Sequence, residues 1–220
     1  LDTISVGFTN PKVWIHTGNY ALNYRISGDF FKGFPLEGKM TLLAGDSGTG
    51  KSFLASGNVV KWCQDNGVLP IIIDTENALD EEWMKNFGID PHGYVMKISA
   101  AMLDDIAKIM SEFLSSYKSE YGDKDFDDRP KVLFIIDSLG MAITTTEEDQ
   151  FNKGDMKGDL GRKQKQIYSI CRNFISSCAN EPIGLLCTQH TYASQDMFNP
   201  DAVIALSLIH ISEPTRPEPI

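Results

Sequence analysis

The sequence lacks any C-x-x-C pair, so neither a zinc ribbon nor a redox dithiol has a framework to stand on. Its four cysteines are Cys63, Cys171, Cys178 and Cys187. Cys63 and Cys171 fall in helical patterns and Cys187 in an apolar strand pattern. All read as small core residues of a reduced, cytoplasmic protein, and a zinc site is not expected. Long apolar runs are also missing. Nothing approaches the roughly 20 residues that span a bilayer, so no membrane partner is expected. No basic-then-apolar leader is visible, although the chain opens on Leu1 rather than Met. Positive charge is scarce: 20 Lys and Arg stand against 30 Asp and Glu, a net charge of −10. Spread evenly, that balance argues against nucleic-acid binding. It is not even. Residues 123–128 are heavily acidic, whereas 151–172 carry Lys153, Lys157, Arg162, Lys163, Lys165 and Arg172 against only Asp155 and Asp159. That basic stretch suits a local phosphate footprint and equally a solvated helix face.

What is present is enough apolar sequence for one sizeable α/β core: 42% of 220 residues are hydrophobic. The most informative stretch is "GDSGTGKS", Gly45 to Ser52. "KMTLLA" before it reads as a buried strand. "SFLASGNVVKWCQDNG" after it reads as a helix with Phe53, Leu54, Val60 and Trp62 on its packed side and Gly67 as a stop. Glycines on a strand-to-helix turn let successive N–H groups curl round a phosphate, and the helix N-terminus adds unsatisfied N–H groups. The pattern G-x-x-x-x-G-K-[ST] in that context assigns the backbone of Gly45, Asp46, Ser47, Gly48, Thr49 and Gly50 to phosphate binding. Lys51 would serve the β- and γ-phosphates and Ser52 a Mg²⁺ ion.

Further strands are expected at "VLPIIID", "YVMKIS", "KVLFIID" and "IGLLCTQH". Helices are expected at "ALDEEWMKNFG", along the stripe Leu103, Ile106, Met110, Phe113, Leu114 and Tyr117, and from about Leu160 to Cys178. The acidic loop "SEYGDKDFDDRP" and the segment "TTTEEDQFNKGDMKGD" read as flexible. Strands alternating with helices predict a mostly parallel sheet. An apolar strand ending in Asp137 places a carboxylate at the carboxyl edge, where it can hold Mg²⁺ through water. Asp74 and Glu76 both end the second strand, and either could face a γ-phosphate. Gln189 and His190 end the last strand, where open α/β sheets place ligand-sensing groups; a loop histidine with a backbone partner reads as well.

Together these segments resemble the RecA-type recombinase ATPases, nearest the phage UvsX recombinases, over roughly Ile26 to Val203. The carriers are "GDFFKGFPLEGKMTLLAGDSGTGKS", "IDTENALD", "IIDSLG", "GDLGRKQKQIYSICR" and "HTYASQDMF". The resemblance implies a RecA-like P-loop NTPase core over 39–205 behind an N-terminal lead-in over 1–38. It implies a DNA-dependent ATPase that uses ATP and Mg²⁺ in homologous strand exchange. Glu76 takes the water-activating position, Asp137 the strand-end aspartate of the metal site, and His190 the γ-phosphate sensor with Gln189 beside it. The peptide after Asp137 is often strained or cis in that family. The segment from about Ile143 to Asp159 matches the first DNA-binding loop, with Lys153, Lys157, Arg162 and Lys163 in or beside it. Single-stranded DNA, self-association into a filament, a mediator and a single-strand-binding protein are the implied partners, in the cytoplasm of a phage-infected bacterium. A neighbouring subunit usually completes such a site, so an isolated chain is expected to hydrolyse ATP slowly. Rival readings are a helicase-type ATPase on the same fold and a nucleotide-binding regulator without strand exchange.

Two departures stand out. Little sequence precedes the core where the family carries a docking helix and strand. The tail "SLIHISEPTRP" resembles translated adapter sequence, so the native reading is expected to stop near Ala205. Residues 206–220 then have no evolved role, and the fold is truncated at its C-terminal side.

Overall fold

The computed structural model describes residues 11–154, 160–193 and 203–204. A short strand β1 (Trp14–Ile15), helix α1 (Tyr20–Ser27) and strand β2 (Phe34–Pro35) lead into β3 (Met40–Gly45). A π-helical segment, Phe53–Val59, runs into α2 (Val60–Asp65). Then follow β4 (Val68–Asp74), α3 (Glu81–Asn86), β5 (Met96–Ser99), α4 (Leu103–Tyr121) and β6 (Lys131–Asp137). The order ends with α5 (Thr145–Asn152), α6 (Leu160–Ser177), β7 (Ile183–His190), and a small antiparallel pair, β8 (Tyr192–Ala193) and β9 (Val203–Ile204). The central sheet is parallel and five-stranded, in the order β3-β7-β6-β4-β5.

Strands β4, β6 and β7 are near-continuous apolar runs because both sheet faces are covered. Their alternation divides the core. Ile71, Ile73, Val132, Phe134 and Ile136 pack with α4 and α6 on one face. Ile72, Leu133 and Ile135 pack with the 53–65 helix on the other. Pro70 lies inside β4 without harm. Pairing with β5 begins only at Ile71, so its missing N–H falls where β4 has no partner on that side.

Four expectations change. Residues 11–38 are not a mere lead-in: Ile15, Phe34 and Leu36 are buried in the core, and Gly38 N–H donates to the Ile183 carbonyl at 2.8 Å. Buried Asn23 ties this part together, accepting from the Thr17 N–H and hydroxyl and donating to the Phe30 carbonyl. The expected flexible segment after Asp137 contains α5, opened by a capping box between Thr144 and Glu147. The acidic loop is pinned: Arg129 donates to the carbonyls of Gly122 and Lys124 and to Glu181 at 2.7 Å. Finally, Phe53 is exposed; the helix after the glycine loop packs through Ala55, Ser56, Val59, Val60 and Cys63.

Candidate functional site

The site is built where β3, β4, β6 and β7 end. The chain leaves β3 at Gly45 and turns through Gly48 (φ 77°) and Gly50 (φ 87°), a left-handed conformation that side chains resist. A Cβ at either would meet nothing within 4 Å, so the hollow beside them is open. Lys51 arches back over the loop, its Nζ donating to the carbonyls of Gly45 at 2.9 Å and Asp46 at 2.8 Å. Thr49 Oγ1 donates to the Asp46 carbonyl at 2.8 Å. Just past β7, Thr191 donates its N–H to the Gly45 carbonyl and its hydroxyl to the Asp46 carboxylate. Ser47 lies in the turn between these anchors.

Asp137 ends β6 almost wholly buried and collects three hydroxyls. Ser52 donates to Oδ1 at 3.0 Å, Thr188 to Oδ1 at 2.5 Å and Ser56 to Oδ2 at 2.7 Å. The register explains Thr188: Ile136 pairs with Cys187, which sets the next residues of β6 and β7 side by side. Ser56 follows Ser52 by four residues and shares its helix face. Neither Ser56 nor Thr188 was singled out from sequence. Their signals were a second serine one turn on and a threonine just before Gln189. The Asp137–Ser138 peptide is cis.

Asp74 and Glu76 part company. Asp74 is buried, accepting from the N–H groups of Ala78 and Leu79, with Lys97 Nζ 3.2 Å away. Glu76 is exposed above the sheet edge and accepts from the Ser138 hydroxyl at 2.9 Å. His190, paired in register with Gly45, brings Nε2 to 3.8 Å from the same Glu76 Oε1. Gln189 turns away from the loop. It is buried against Gly140, donates to the His190 carbonyl at 3.1 Å, and finds no hydrogen-bond partner for its Oε1 among the described residues.

The structure therefore gathers Lys51, Ser52, Asp137, Glu76 and His190 round one loop. The expected DNA-contacting residues stand apart from one another. Lys153 is exposed just past the end of α5. Arg162 is exposed on α6, and Lys163 is mostly covered, its Nζ 3.5 Å from the Glu147 carboxylate of the capping box. Lys157 lies outside the described residues, as do 194–202 and the tail after 204.

The donor set fits a hard divalent cation. One hydroxyl and one carboxylate adjoin the glycine loop, and among the described residues no group of three or more His, Cys, Asp or Glu could hold a metal alone. Mg²⁺ is ordinarily held in this way, by one or two protein oxygens together with phosphates and water. No described helix is long and apolar enough to cross a membrane. The class defined by these features is an α/β chain with a helix-flanked, five-stranded parallel sheet, the layout shared by Rossmann-like and RecA-like cores. No protein-family model matches the chain, and no curated protein matches it.

Proposed function

We propose that this chain is the RecA-like P-loop ATPase core of a DNA strand-exchange recombinase, hydrolysing ATP with Mg²⁺ and coupling that reaction to single-stranded DNA. The supporting observation is the convergence of the glycine loop, Ser52 bonded to Asp137, and Glu76 on the same sheet edge. Open α/β sheets bind ligands at that edge. The N–H groups of Ser47 to Ser52 hold the phosphates, and Lys51 exchanges its two loop carbonyls for phosphate oxygens. Ser52 and Asp137 hold Mg²⁺, which when bound neutralises phosphate charge. Glu76, oriented by the Ser138 hydroxyl, takes the proton of the attacking water. His190 touches both ends of the arrangement: its strand position pairs with Gly45 and its ring faces Glu76. A change at the γ-phosphate would reach β8 and the residues beyond through it. Self-association into a filament, a mediator and a single-strand-binding protein belong to the same proposal.

MgATP hydrolysis by the full chain, with and without a long single-stranded oligonucleotide, tests the reading beside Glu76→Gln. DNA-stimulated hydrolysis in the wild type, lost in the variant while nucleotide binding persists, is the expected result. Hydrolysis indifferent to DNA would discard strand exchange in favour of a helicase-type ATPase, and binding without hydrolysis would favour a regulator.

A further inference from the structure

The Asp137 carboxylate has three hydroxyl donors, and the proposed function uses one of them. Ser56 and Thr188 are each fully buried, in a setting where Ala and Val would fill similar space without a polar group to satisfy. Both instead spend their hydroxyls on one carboxylate. A carboxylate offers about four acceptor positions over its two oxygens. Ser52 and Thr188 share Oδ1, and Ser56 sits on Oδ2. The donors arrive from β7 and from two successive turns of the helix after the loop. The carboxylate plane therefore cannot turn about its Cβ–Cγ bond without breaking hydrogen bonds that its buried donors have no water to replace.

We propose that Ser56 and Thr188 are positioning residues that lock the Asp137 carboxylate in the orientation that receives a divalent cation. This rests on the reading of the Gly45–Ser52 loop as a Mg²⁺-nucleotide site. Groups that orient a metal's ligands are commonly worth ten- to a hundred-fold in metal affinity.

The experiment uses the full chain, Ser56→Ala, Thr188→Val, the double variant and Thr188→Ser. A fluorescent ATP analogue gives nucleotide affinity in EDTA. Mn²⁺ binding to the nucleotide-loaded protein is then followed by electron paramagnetic resonance. The expected result is unchanged nucleotide affinity in EDTA for every variant, with Mn²⁺ affinity weakened about ten-fold or more in the double variant and restored in Thr188→Ser. Mn²⁺ affinity within two-fold of wild type in folded variants would overturn the inference and leave the two hydroxyls as core satisfaction. If Thr188→Val does not fold, Ser56→Ala decides alone, since it removes a single oxygen. Failure of the underlying reading looks different: wild type itself would bind nucleotide no better with the metal than in EDTA, and both claims would fall together.

Discussion

Asp74 and Glu76 stand two residues apart at the end of β4 and are differently employed. Strand alternation points both the same way, so the sequence could not choose between them. The turn beyond β4, with Asn77 at φ 52°, brings the N–H groups of Ala78 and Leu79 back onto Asp74, while Glu76 meets Ser138. Asp74→Asn should therefore act on stability. It removes the charge facing Lys97 and weakens two hydrogen bonds to the turn, a loss of about 1–3 kcal/mol read by denaturant unfolding. A variant as stable as wild type would show that the turn holds itself. If the proposed function holds, Glu76→Gln should leave stability nearly unchanged and lower ATP hydrolysis by about 10²–10⁴-fold. The loop glycines, Lys51, Ser52 and Asp137 were legible because each lies in a local pattern. Ser56 and Thr188 were not, because their meeting with Asp137 depends on the β6–β7 register and on a helix turn against it.

At the scale of elements, the helix after the loop carries a test of packing against propensity. Gly57 lies in its π-helical part, and a Cβ there would come 2.3 Å from the Phe87 ring. That ring is itself held between Phe53 at 4.7 Å and Trp83 at 4.5 Å, centroid to centroid. Gly57→Ala gains about 1 kcal/mol of helix propensity. Overpacking costs about 1–3 kcal/mol. The clash should win, lowering the melting temperature; a rise would mean that Phe87 swings aside freely. The same scale explains what sequence showed. β4, β6 and β7 could be read because burial on both faces leaves unbroken apolar runs. α5 could not, because it has no buried residue and so no stripe; Thr144 and Glu147 were its only signal. The two-residue strands β1 and β2 are too short for any period, and the burial of Ile15, Phe34 and Leu36 comes from tertiary packing alone.

For the molecule as a whole, the four thiols report on integrity. All are buried. Burial pushes Cys171 up to about 11 and Cys178 up to about 12, and raises Cys63 and Cys187 well above the usual thiol value. The thiolate is the reactive form, so a raised pKa starves the reaction at pH 8. The native chain should show no fast-reacting cysteine at that pH, and all four should react after denaturation. A fast thiol in the native protein would mark a part of the core that opens on its own. One more consequence lies in the strand order. Among the described residues β3 touches no sheet strand but β7, and Met40 pairs with Leu185. On the ribosome the glycine loop is thus made before the strands that flank its seat and seated after them. While β4, β5 and β6 can already associate in the emerging chain, β3 waits for almost the whole of the described core to be synthesised. Pairings this distant in sequence form slowly. The loop proposed to hold phosphate is then translated before β4 and set in place only after β7.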